Sequence, residues 1–179
     1  MQGASLKALR FILLPTMLLT NHAFAADSFS VFGNYEFNDT DVIRGIGLSA
    51  GYSHRNSAVR SEIVTSINMN EVIDQRGFDQ EFYSWDIGFR LGYFRDVFFY
   101  IEAGVDVFDL ALHDLRNDND DSYYYDEGSD GIDGYAGIGV GIQTNQLRIE
   151  GVVKARQIDA SNWEAEKTAF YGLQVSVMF

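Results

Sequence analysis

The 179-residue chain has no cysteine, one proline and three histidines. Without cysteine, neither a disulfide framework nor a thiolate metal site can form. The one proline, Pro15, lies in the first twenty residues, outside every segment that reads as a strand, so no ladder is interrupted by a residue lacking an N–H. Basic residues are scarce: 13 Lys and Arg stand against 26 Asp and Glu, a net charge of −13. Nucleic-acid binding needs a basic footprint, which this balance excludes. Self-repulsion and attraction of cations are the expected consequences. Long apolar runs are missing too; none approaches the roughly 20 residues of a spanning helix.

The nearest thing to such a run is at the start. In "MQGASLKALRFILLPTMLLTNHAFAA", Lys7 and Arg10 precede an apolar stretch from Phe11 to Leu19, followed by the small-residue triplet Ala23-Phe24-Ala25. This is the plan of a secretory signal peptide, so residues 1–25 are expected to be removed and 26–179 to form one domain. Cleavage takes two of 13 basic residues and no acidic one, leaving 11 − 26 = −15. The remaining chain, about 150 residues, is long enough to bury one core without disulfides.

What the mature part does have is alternation. Tyr171, Leu173, Val175, Val177 and Phe179 are large and apolar, and Gly172, Gln174 and Ser176 between them are small or polar. A period of two marks a strand. The same pattern recurs in "SFSVFGNYEFN" from Ser28, in Val42–Ser53, in Val59–Met69, in the nearly ideal "YSWDIGFRLGY" of 83–93, in Phe99–Val107, in Ile132–Gln143 and in Leu147–Arg156. Eight strands are predicted. Their joins alternate in length: "HRNS", "RDV" and "TNQ" are tight, whereas Asn70–Glu81, His113–Gly131 and Asp159–Glu166 read as long polar loops, with a short first join near Asp39–Asp41. The pattern predicts an all-β fold, an eight-stranded antiparallel up-and-down transmembrane β-barrel.

A soluble barrel of lipocalin type would also alternate, with its apolar face inward. An eight-stranded interior is only just wide enough for side chains to fill, and about five bulky residues per strand, Trp85, Phe89 and Phe99 among them, would overfill it. The opposite face carries Gly45, Gly47, Gly51, Gly88, Gly92, Gly104, Gly137, Gly139 and Gly141, which suit a crowded interior rather than a solvated coat. Outward aromatics gather at both strand ends, Phe29, Tyr52, Tyr93, Phe99 and Phe179 at one and Phe37, Tyr83 and Tyr171 at the other, as in aromatic girdles.

On these residues, the leader, the eight alternating segments and the terminal "YGLQVSVMF", the chain resembles the OmpA-like and OmpX-like family of small eight-stranded outer-membrane barrels of Gram-negative bacteria. The resemblance implies a location in the outer membrane, contact with its lipid and lipopolysaccharide, and insertion by the barrel-assembly machinery. It also implies that Tyr171, Leu173, Val175, Val177 and Phe179 form the assembly signal; Val177 departs from the aromatic often found at that place. A monomer is expected.

The face opposite the apolar one carries Glu36, Glu62, Asp86, Glu102, Asp106 and Glu150 against Arg60, Arg90, Arg148, Lys154 and Arg156. Such a balance of sign predicts a paired interior charge network that plugs the lumen, since unpaired buried charges are costly. A small or gated diffusion pore, porin-like, is the alternative. No catalytic residue is assigned. His54 lies in "SHRNS", near to a His-x-Ser element of a lipid A deacylase, but Asn56 occupies the serine position, Ser57 comes one residue late, and the turn is predicted on the periplasmic side. His113, with Asp109 and Asp114, reads as a solvated loop histidine.

The most distinctive stretch is "HDLRNDNDDSYYYDEGSDG", where Asp118, Asp120, Asp121, Asp126 and Glu127 surround Tyr123, Tyr124 and Tyr125. Carboxylates suit hard cations and tyrosines suit recognition surfaces. The calcium-loop pattern fails, because Tyr123 replaces the turn glycine and Ser129 the bidentate glutamate. No metal or cofactor is expected. The sequence therefore predicts a barrel without enzymatic activity whose loops contact an extracellular ligand or protect the envelope.

Overall fold

A computed structural model describes residues 27–53, 57–73, 79–111, 133–160 and 163–179, with the side chains of 158–167 excepted. Eight strands follow one another: β1 Ser28–Phe37, β2 Val42–Ser53, β3 Val59–Ile73, β4 Asp79–Tyr93, β5 Val97–Asp106, β6 Gly134–Gln143, β7 Leu147–Ala160 and β8 Trp163–Met178. Each pairs antiparallel with the next, and β8 returns to β1, so the sheet is a closed up-and-down barrel. Closure runs from Ser30 opposite Met178 to Phe37 opposite Tyr171, and the N–H of Phe179 donates to the Phe29 carbonyl at 2.8 Å. No strand edge is left open at this seam.

Alternation decides which way each residue points. The apolar set faces out: Ile46, Ile63, Phe89, Ile101, Ile138 and Leu173 are each more than half exposed. A closed sheet coated this way is matched to hydrocarbon rather than water. At the end of the barrel that holds the chain's first strand residue, Phe29 packs on Phe179 with centroids 6.3 Å apart, and Tyr93 stacks on Phe99 at 5.8 Å. Even the outward Trp85 keeps its indole N–H satisfied, donating to Thr65 Oγ1 at 2.8 Å across the β3–β4 pair.

Three boundaries differ from the sequence reading. The segments taken as long loops at Asn70–Glu81 and Asp159–Glu166 are largely strand: β3 and β4 stay in register up to Ile73 opposite Asp79, and β7 and β8 pair as far as Ala160 opposite Trp163, with a register shift between Arg156 and Ile158. Spanning takes only about 9–11 tilted residues, so these 14- to 16-residue strands extend past the apolar belt, where polar side chains on both faces are tolerated and imitate a loop. Val107, read as the outward end of the fifth strand, instead begins a helical turn over 107–111. Asp106 ends the strand, its Oδ1 accepting the N–H of Phe108 at 2.8 Å as a helix cap and that of Trp85 at 3.1 Å. The sixth strand starts at Gly134; Ile132 lies outside the described residues.

Candidate functional site in the barrel lumen

Among the described residues, the inward face of the sheet carries its side chains in tiers. Near the mouth where β1 turns into β2, Ile43, Val72 and Phe170 form a buried apolar cluster joined by Phe82. Beneath it, Arg156 grips both carboxylate oxygens of Glu36, from Nε at 2.7 Å and Nη2 at 3.0 Å, while its Nη1 reaches Asp86 at 2.8 Å. Asn68 donates to the same Asp86 oxygen at 3.1 Å. Lys154 links this tier to the next, with Nζ 2.9 Å from Glu36 and 3.4 Å from Glu102. The next tier centres on Arg90: its Nε donates to Glu102 at 2.6 Å, Nη1 to Glu150 at 3.2 Å and Nη2 to Gln174 at 2.9 Å. Beside it Arg148 binds Glu62 through two parallel bonds of 3.0 and 2.9 Å. Fork-to-carboxylate pairing of this kind fixes orientation as well as charge.

The last tier is aromatic. Phe94, Phe98 and Tyr100 stack nearly parallel with centroids 5.5 to 6.2 Å apart. The Arg148 guanidinium lies 5.1 Å from both phenylalanine rings and that of Arg90 4.6 Å from Tyr100. Cations over ring faces gain most where water is excluded, so the charged and aromatic tiers hold each other.

Nine of the eleven residues expected in the interior charge network lie buried in this lattice: Glu36, Glu62, Asp86, Arg90, Glu102, Arg148, Glu150, Lys154 and Arg156. The other two stand at the mouths. Arg60 donates to Ser53 and Ser28 and lies 5.6 Å over the Phe94 ring, and Asp106 is occupied by the helical turn. The sequence reading missed the interior aromatics Phe32, Phe94, Phe98 and Phe170, and the aliphatic cluster. Glycine is the signal that could have found them. A Cβ on Gly47 would collide with Phe32, one on Gly104 with Tyr135, and one on Gly139 with Tyr100. Each of these glycines makes room for a ring. At the mouth where β1 turns into β2 a small polar pocket of about 20 Å³ remains, lined by residues that include Phe82, Ser84, Asp86, Asp133 and Arg156, with room for about one water.

The residues expected to form an assembly signal, Tyr171, Leu173, Val175, Val177 and Phe179, all point outward on β8 or just beyond it and are exposed. Asp118, Asp120, Asp121, Tyr123, Tyr124, Tyr125, Asp126 and Glu127 lie outside the described residues, as do His54, Asn56, His113 and Asp114. Asp109 accepts the N–H of Asp133 at 2.9 Å. Arg44, at the outer rim, is paired with Glu71 of the neighbouring strand.

No protein-family model and no curated protein matches the sequence. Among solved structures, the chain is similar to the N-terminal β-barrel domain of Pseudomonas aeruginosa OprF, at 15% identity over 86% of this chain and 98% of that one, TM-score 0.47. It is similar to the Yersinia pestis outer membrane protein Ail, at 15% identity over 85% and 99%, TM-score 0.46. A de novo designed transmembrane β-barrel is similar at 12% identity over 85% and 95%, TM-score 0.46.

Proposed function

We propose that the chain is an outer-membrane barrel of the OmpA-like and OmpX-like kind, exported through a cleaved leader over residues 1–25 and acting as a monomer with a closed lumen. Its work is done outside the membrane, by the acidic, tyrosine-rich segment His113–Gly131, through contact with an extracellular ligand or protection of the lipopolysaccharide surface. The observation that carries this reading is the pairing of an apolar, exposed exterior with a lumen stopped by three kinds of filling, ion pairs, stacked rings and an aliphatic cluster. A barrel that conducts little leaves its loops as the surface on which to act. The reading involves no enzymatic step.

The test is topological and functional together. In cells producing the protein, Ser122→Cys is expected to react with a membrane-impermeant maleimide from outside. Deletion of 118–127 is expected to leave the heat-dependent gel shift of a folded barrel intact while abolishing surface binding or protection. Unlabelled Ser122→Cys on a folded, surface-delivered barrel, or a deletion without phenotype, contradicts the reading. A narrow gated path is the second reading. It is favoured by the position of Arg90, which bonds Glu102 and Glu150 and stands 4.0 Å from Glu62, so its partners could be exchanged without a long movement.

A further inference from the structure

The outer wall of the barrel is not evenly padded. Unlike the glycines that make room for interior rings, Gly151 on β7 faces outward, and a Cβ there would meet nothing nearer than the Val140 carbonyl oxygen at 4.0 Å. Glycine weakens a strand interior, and no group of the protein requires one at this position. Its missing side chain deepens a furrow. Ile101, Ile138 and Val153 stand opposite one another along one bank, and Phe99, Val140, Gly151 and Leu173 along the other. With Leu91 and Phe37 at its two ends they line an open apolar groove of about 760 Å³.

The groove crosses six strands, from Leu91 on β4 to Phe37 on β1. At about 4.8 Å per strand it runs about 24 Å around the wall. With strands tilted about 45°, it also descends about 17 Å through the bilayer, close to one leaflet of a hydrocarbon core about 30 Å thick. That is the path of a single acyl chain. At the Leu91 end, Tyr93 stacks on Phe99 at girdle height. Past them the tight β4–β5 turn presents Arg95 and Asp96, both exposed. Charge, aromatic belt and apolar groove thus follow one another as the headgroup, interface and tail of a lipid do. Opposite signs on adjacent residues match a zwitterionic headgroup, with Arg95 for its phosphate and Asp96 for its ammonium. The Phe37 end is less suited: that ring packs on Tyr35 with centroids 6.1 Å apart, and the outward cation there, Arg44, is already paired with Glu71.

We propose that this groove seats one phospholipid of the periplasmic leaflet, its headgroup phosphate on Arg95, its ammonium on Asp96, and one acyl chain lying between the two banks over Gly151. Lipid elsewhere on the wall exchanges freely; this one is held. The choice of leaflet rests on the membrane orientation proposed above, which the Ser122→Cys labelling tests by itself.

Native mass spectrometry of the folded mature protein, released from vesicles of equal phosphatidylethanolamine and phosphatidylglycerol with the same acyl chains, reads the seat directly. The wild type is expected to carry one lipid, chiefly phosphatidylethanolamine. Gly151→Leu fills the groove and loses it. Gly33→Leu fills another open outward position, away from the groove, and keeps it. Asp96→Asn keeps one lipid without preference between the headgroups, and Arg95→Gln loses most of it. The heat-dependent gel shift establishes folding of each variant, and the two turn variants decide the matter even where Gly151→Leu does not fold. A folded wild type without retained lipid, retention in Gly151→Leu equal to that in Gly33→Leu, a headgroup preference that survives Asp96→Asn, or a dimer mass in place of a lipid adduct would overturn the proposal.

Discussion

Ile101 and Glu102 are neighbours on β5, one 61% exposed and the other 4%, and they stand for two surfaces of one sheet that obey opposite rules. The outer surface is apolar, needs no particular partner, and takes any large hydrophobe of suitable girth. The inner one is polar and aromatic, and each of its groups is placed by a named neighbour: Arg90 by Glu102, Glu150 and Gln174, Tyr135 by the room over Gly104 and by Arg156 4.7 Å from its ring. In a water-soluble protein the specific packing and the apolar burial belong to one core. Here they are separated, with lipid supplying the apolar environment on one side and the lattice supplying uniqueness on the other.

Breaking one partner of the lattice should therefore cost most. Arg90→Met leaves Glu102 and Glu150 without their shared cation, and breaking a buried pair in this way typically costs about 3–5 kcal/mol. Urea unfolding in detergent or lipid is expected to show that loss, with a smaller one in Arg90→Met combined with Glu102→Gln. Next comes a charge on the other surface. Ile138→Arg, near the middle of β6 and 60% exposed, is expected to cost about 2–4 kcal/mol as a cation at the bilayer midplane, while Val97→Arg at the start of β5 should cost about 0–1. A flat response with depth would mean that the outer face is not in contact with hydrocarbon. Gly139→Val tests the room made for Tyr100; overpacking of this kind costs about 1–3 kcal/mol, and Tyr100→Ala in the same chain should recover part of it. The smallest effect belongs to the rim, where Arg44→Ala removes a half-exposed ion pair with Glu71 and should change stability by about 0–1 kcal/mol.

How much of this was readable from the chain follows from the same division. Wherever one face is apolar and the other polar, as in "YSWDIGFRLGY", a period of two is visible and the strand with its direction follows. The charged lattice was legible for the same reason, since Arg90, Glu102, Glu150 and Arg156 fall on the polar beat. The inward phenylalanines Phe32, Phe94, Phe98 and Phe170 were not. In "VFFYIEAGV" the inward Phe98 and Tyr100 flank the outward Phe99, so the alternation vanishes into a continuous apolar run. Only the glycines of the next strand record that something large lies over them. Strand ends were missed where both faces turn polar past the apolar belt: Val72 and Phe82, hidden among Asn70, Glu71, Gln80 and Glu81, belong to the inner cluster and its border. Pairing choices within the lattice, such as Arg148 taking Glu62 at 86 residues' separation, depend on barrel closure and leave no local trace.

Single-channel recording of the purified protein in a planar bilayer, after its heat-dependent gel shift has established folding, tests the closed lumen most directly. The account predicts a silent bilayer for the wild type, for Arg60→Ala, which leaves the lattice and the ring stack in place, and for Phe94→Ala combined with Phe98→Ala, where the Arg90 and Arg156 tiers and the cluster of Ile43, Val72 and Phe170 still fill the lumen. Regular conductance steps from the folded wild type would contradict it.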